Sequence, residues 1–100
     1  MENTHKIVWS ESAKNDLHDI YDYYSLFSIN LADKIINLIY ETVSKLKYPE
    51  NINIGQFDEF NNNFRRIISG NYKIFYSFID EQVLIIRIFD SRQNPEKSKY

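Results

Sequence analysis

Phe64 to Arg92 reads FRRIISGNYKIFYSFIDEQVLIIRIFDSR. β-Branched and aromatic residues dominate three segments of it, Phe64–Ser69, Tyr72–Ile79 and Val83–Asp90. Gly70-Asn71 and Asp80-Glu81 supply the turns between them, so the stretch predicts a three-strand antiparallel meander. In the middle strand Tyr72, Ile74, Tyr76 and Phe78 share one face, and Lys73, Phe75, Ser77 and Ile79 share the other. The last strand, VLIIRIF, is apolar on both faces, which suits a central strand covered by helices on one side.

Cations punctuate this apolar run. Lys and Arg are disfavoured on a buried surface unless something pairs with them. Arg65, Arg66, Lys73, Arg87 and Arg92 are therefore expected to converge on a surface that meets a polyanion or an acidic partner, on the sheet face away from the helices. Arg65 and Arg66 are adjacent on a strand, so they point to opposite faces and only one can serve a given site. Arg87 lies between Ile86 and Ile88 and reads first as a structural pair with Asp90 or a helix acid, and second as a binding residue.

Upstream, Lys6–Trp9 is a short strand, and Ser10 with Glu11 opens a helix. Ala13, Leu17, Ile20 and Tyr24 form its apolar stripe, while Asp16, Asp19 and Asp22 fall off that stripe and are expected in solvent. The helix ends near Ser25–Ser28. Asn30 is expected to cap a second helix, with Ala32, Ile35, Ile36, Ile39, Val43 and Leu46 inward, stopped by Tyr48-Pro49. Residues 50–63 are Asn-rich and aperiodic, and read as an extended loop pinned by Ile52, Ile54, Phe57 and Phe60. The order is β-α-α-β-β-β: an α+β fold in which a helical hairpin packs on one face of a small, mostly antiparallel four-stranded sheet.

One hundred residues predict one domain, 1–100. The absence of Cys excludes disulfide and thiolate chemistry and fits a reducing cytoplasm. No run approaches the ~18 apolar residues of a membrane span, so no membrane partner is expected. Net charge is -2, but residues 1–63 carry five lysines against ten acids and residues 64–100 seven bases against four acids. A basic face backed by an acidic helical face follows. His18 and Asp22 are spaced for half a metal site, but no second pair exists, so neither a metal nor a cofactor is expected.

Four pieces, in order, resemble the RelE/ParE superfamily of toxins from type II toxin–antitoxin modules. They are IVWSESAKNDLHDIYDYY, the Tyr48-Pro49 stop, FRRIISGNYKIFYSF, and the last strand running into Asp90-Ser91-Arg92-Gln93-Asn94-Pro95. The resemblance covers nearly the whole chain. It implies a growth-inhibiting toxin of the plasmid-stabilisation type, neutralised by a cognate antitoxin encoded beside it. RelE-like members cleave mRNA in the ribosome, whereas ParE-like members poison DNA gyrase.

Under the ribonuclease reading the resemblance places Arg65, Arg66, Lys73 and Arg92 around the phosphate. Lys73 stands where the family has Arg, replacing a bidentate fork by a point charge. The family's C-terminal Tyr is unmatched: Ser98 occupies that position, and Tyr100 is further along. A domain docking in ribosomal RNA is expected to be strongly basic, yet the sequence pI is near 5.6. These departures favour the ParE-like reading, without covalent chemistry, over the metal-independent mRNA endonuclease. A degenerate chain that only binds its antitoxin is the third reading. Lys73 and Arg92 lead the functional candidates. Arg65, Arg87, Phe57 and Phe60 join them as residues for the target or the antitoxin, whose acidic tail the cations would attract.

Overall fold

Strand β1 (Lys6–Trp9) pairs in parallel with β5 (Gln82–Asp90), joining the beginning of the described chain to its last strand. The computed structural model describes residues 4–51, 56–57 and 64–90. Between the two strands run α1 (Glu11–Ser25), α2 (Ile29–Ser44), a 3₁₀ turn at Lys45–Lys47, another at Pro49–Asn51, then β2 (Gln56–Phe57), β3 (Arg65–Ser69) and β4 (Tyr72–Ile79). The sheet order is β1-β5-β4-β3-β2, with every pair except β1–β5 antiparallel. Two helices on a mixed sheet of four main strands is the expected α+β architecture.

Ser10 starts α1. Its Oγ accepts from the Ala13 N–H at 3.0 Å and donates to the Ile86 carbonyl at 2.7 Å, while its own N–H reaches the Ile85 carbonyl at 2.9 Å. One residue therefore caps the helix and extends the β1–β5 ladder. The second helix begins two residues earlier than expected. Ser28, not Asn30, is the cap, accepting from the Leu31 N–H at 3.2 Å. A hydroxyl in extended geometry outcompetes the later amide because the Phe27–Ser28 turn already closes onto Tyr24.

Both stripes face the sheet as their spacing requires. Ala13 and Leu17 from α1, Ile39 and Val43 from α2, and Leu46 are buried against Ile67, Tyr72, Ile74, Tyr76, Val83, Ile85 and Ile88. Ile20, Tyr24, Ile35 and Ile36 pack around them. Tyr48 is extended before Pro49, where a helical conformation would clash with the proline ring. Within residues 50–63 the extended-loop expectation needs two corrections: the 3₁₀ turn runs through Asn51, and Gln56–Phe57 pair with Arg65 and Arg66 as a two-residue edge strand. Ile52, Ile54 and Phe60 lie outside the described residues.

Two tight turns close the meander. Gly70 has φ +58° as the first turn residue, the II′ pattern, and Asp80 and Glu81 both have positive φ, the I′ pattern. The β4–β5 register shifts once. Phe75 pairs with Arg87 but Tyr76 with Ile85, so Ile86 is a bulged extra residue. Val83 and Ile85 face the helices before the bulge, and Ile88 faces them after it. Strict alternation would have put Arg87 into the core; the bulge moves it to the other face. Among the described residues no helix is long and apolar enough to cross a membrane.

Candidate functional site

The cross-strand register arranges the cations. Arg66, Phe75 and Arg87 form one row across β3, β4 and β5, and Ile68, Lys73 and Phe89 form the next. Both rows lie on the sheet face away from the helices. Phe75 and Phe89 are buried there, their rings edge to face with centroids 5.7 Å apart. Arg66, Lys73 and Arg87 are half-buried around them. Arg65 pairs with Tyr76 and so belongs to the helix-facing side. The expectation that only one of the adjacent arginines serves this face holds, and Arg66 is that one.

Arg87 is engaged. Its Nε donates to Asp16 Oδ2 at 2.8 Å and its Nη2 to Asp16 Oδ1 at 3.1 Å, a bidentate pair. The same Oδ2 accepts from the Ile88 N–H at 2.8 Å. The guanidinium carbon also lies 4.6 Å from the Phe89 ring centroid, in cation–π range. The helix acid predicted for Arg87 is thus Asp16, and the expectation of a solvated Asp16 is overturned: its side chain is only 14% exposed. β1 ends at Trp9, so β5 has a bare edge beyond Ile85, and α1 crosses that edge with Asp16 placed to accept from it. Asp16 stands three residues after Ala13 and four before Ile20, next to the apolar stripe, and that adjacency was the available signal.

Lys73 sits opposite Ile68 and Phe89 with no ion pair among the described residues. His18 and Asp22 form an exposed pair at 3.2 Å. Among the described residues no group of three His, Asp or Glu gathers that could hold a metal ion. Arg92, Phe60, Ser98 and Tyr100 lie outside the described residues, and of Phe57 only its backbone place opposite Arg65 is defined. The face therefore brings Arg66, Lys73 and Arg87 together beside two buried rings. It can meet phosphates or carboxylates through two cations flanking Phe75 and a third one row along.

A groove of about 380 Å³ opens beside this face, where α1 crosses the end of β5. The rings of Tyr23, Tyr24, Tyr72 and Phe89 wall it. Tyr72 and Tyr24 join their hydroxyls across it at 3.2 Å, and Tyr23 meets Tyr24 edge to face at 5.1 Å. Tyr72 and Tyr76 are buried core residues, as expected of them.

The fold is shared with chains from toxin–antitoxin systems of known structure. A chain from the chromosomal ParDE toxin–antitoxin system of P. aeruginosa superimposes with a TM-score of 0.78 at 23% identity, over 89% of this chain and 98% of that one. A chain of the RelBE2 toxin–antitoxin complex from Mycobacterium tuberculosis gives a TM-score of 0.57 at 16% identity, over 87% and 98%. No curated protein sequence matches the chain. The model of the ParE toxin of type II toxin–antitoxin systems matches residues 7–95, from the middle of β1 to beyond β5. With that match running through every described strand and both helices, the chain belongs to the ParE toxin family of type II toxin–antitoxin systems.

Proposed function

We propose that the chain inhibits growth by binding DNA gyrase in the cytoplasm, and that a cognate antitoxin holds it inactive. The observation that carries the binding reading is the Asp16–Arg87 pair. It neutralises one of the three cations on the helix-distal face and spends it on holding α1 to β5. Arg66 and Lys73 share that face beside buried rings, an arrangement that suits recognition of a large acidic surface. The family match supports the toxin role, and the gyrase target is what the resemblance to ParE-like members implies. The similar solved chains come from toxin–antitoxin systems, which supports an antitoxin as the neutralising partner.

In a supercoiling assay the purified chain is expected to block gyrase, and the antitoxin encoded beside it to restore activity. Normal supercoiling with excess folded chain would remove the gyrase target. The second reading is a ribosome-dependent mRNA endonuclease, favoured by the common face of Arg66 and Lys73. Pulse labelling after induction separates the two: DNA synthesis fails first in one, protein synthesis in the other. Cut mRNA that disappears with Lys73→Ala would establish the endonuclease. Unimpaired growth would leave a chain that only binds its antitoxin.

A further inference from the structure

The groove between α1 and the end of β5 has a charge opposite to that of the neighbouring face. Among the described residues three carboxylates line it, Asp16, Asp19 and Asp90, with one guanidinium, Arg87, and Asp90 has an interaction of its own. Asp16 is matched by Arg87, but Asp19 is exposed and has no ion pair among the described residues. The last turn of α1 holds no basic residue to offset this charge. The ring faces attract cations in their own right. Arg87 already shows how a guanidinium sits here, forked onto a carboxylate and stacked over Phe89.

We propose that this groove receives an arginine side chain from the antitoxin, its guanidinium on Asp19 and its plane against Tyr23 and Tyr24. A planar cation fits a ring-walled cleft better than a compact ammonium, because it stacks and forks at once. A polypeptide is the fitting donor because the apolar surface continues past the groove. Tyr23 meets Phe27 at 5.5 Å, and Phe27 and Leu26 are 68% and 80% exposed at the tip of the helical hairpin. A free cation would leave that strip uncovered, while the residues next to a docked arginine would cover it. The inference rests on the toxin–antitoxin reading, which supplies the donor. It adds a basic anchor to a partner otherwise expected to be acidic.

The test has two arms. Nα-acetyl-arginine amide is titrated into the isotope-labelled full chain and followed by amide shifts. Saturable shifts are expected in Asp19–Tyr24 and Ile88–Asp90, at about millimolar probe, since one ion pair and one stacked ring give only weak binding. Asp19 is exposed, so Asp19→Asn keeps the fold and is expected to weaken the probe several-fold. Nα-acetyl-leucine amide should give no such shifts. Absent shifts, shifts elsewhere, or shifts that appear only in Arg92→Ala would overturn the inference, the last by showing the groove filled from within the chain. In the second arm the antitoxin is captured by wild type and by Asp19→Lys, with at least a ten-fold loss expected for the variant. Capture unchanged by Asp19→Lys overturns the inference and leaves the toxin–antitoxin reading standing. No capture by wild type overturns both.

Discussion

Asp16 carries more of this molecule than its place among three helix acids suggests. It accepts three hydrogen bonds, two of them from the guanidinium of Arg87 and one from the backbone of Ile88. Asp16→Ala removes the carboxylate from a half-buried guanidinium and from a strand N–H. The expected loss is about 2 kcal/mol in urea unfolding, because bonds to charged groups are among the stronger ones. Arg87→Ala should cost less, and the double variant less than the sum of the two. A second residue-scale expectation concerns the turns. Glu81 has φ +60°, a conformation that costs a residue with a Cβ about 1 kcal/mol, so Glu81→Gly should raise the thermal midpoint. Gly70 has φ +58° with open space where a Cβ would stand, so Gly70→Ala should lower the midpoint through the backbone alone.

At the scale of elements, Ser10 links three of them. Its hydroxyl caps α1 and reaches Ile86 of β5, and its N–H continues the ladder from β1. Ser10→Ala is expected to cost about 1 kcal/mol, and amide exchange should show the loss at Ala13 first. Elements of this kind were legible in the sequence wherever one local rule decided them. The stripes of both helices and the two turns follow from spacing and turn chemistry and are present, while the Tyr48-Pro49 stop ends a 3₁₀ turn, α2 itself closing at Ser44. The misreadings came where two rules competed or where a distant strand intervened. Ser28 and Asn30 are both capping residues, and only the closing turn at Tyr24 chooses between them. Asp16 obeys the helix pattern of a solvated acid until β5, about seventy residues on in sequence, presents an uncovered edge. The bulge at Ile86 has no signature beyond consecutive isoleucines, yet it decides which face Arg87 occupies. The convergence of Arg66, Lys73 and Arg87 was foreseeable as a face, but their pairing was not.

For the whole molecule, the distribution of charge follows the architecture. Residues 1–63 are net acidic and residues 64–100 net basic, and Arg66, Lys73 and Arg87 share the sheet face away from the helices. Growth inhibition through the helix-distal face should therefore respond to Lys73→Ala without a change in unfolding midpoint, since Lys73 has no ion pair among the described residues to lose. The parallel pairing of β1 with β5 has a further consequence, one of timing. Lys6 must wait for Gln82, and Trp9 for Ile85, before the sheet can close. Refolding should then fall in the slower range for a chain of this size, milliseconds to seconds, because contacts so distant in sequence form late. Trp9, beside the Tyr40 ring at 5.2 Å, would report that closure by its fluorescence. During synthesis the helical hairpin can form early, but the cationic face needs the last strand. On the proposed function a nascent chain is inactive until β5 has left the ribosome and paired, and a neutralising partner has that interval in which to be ready.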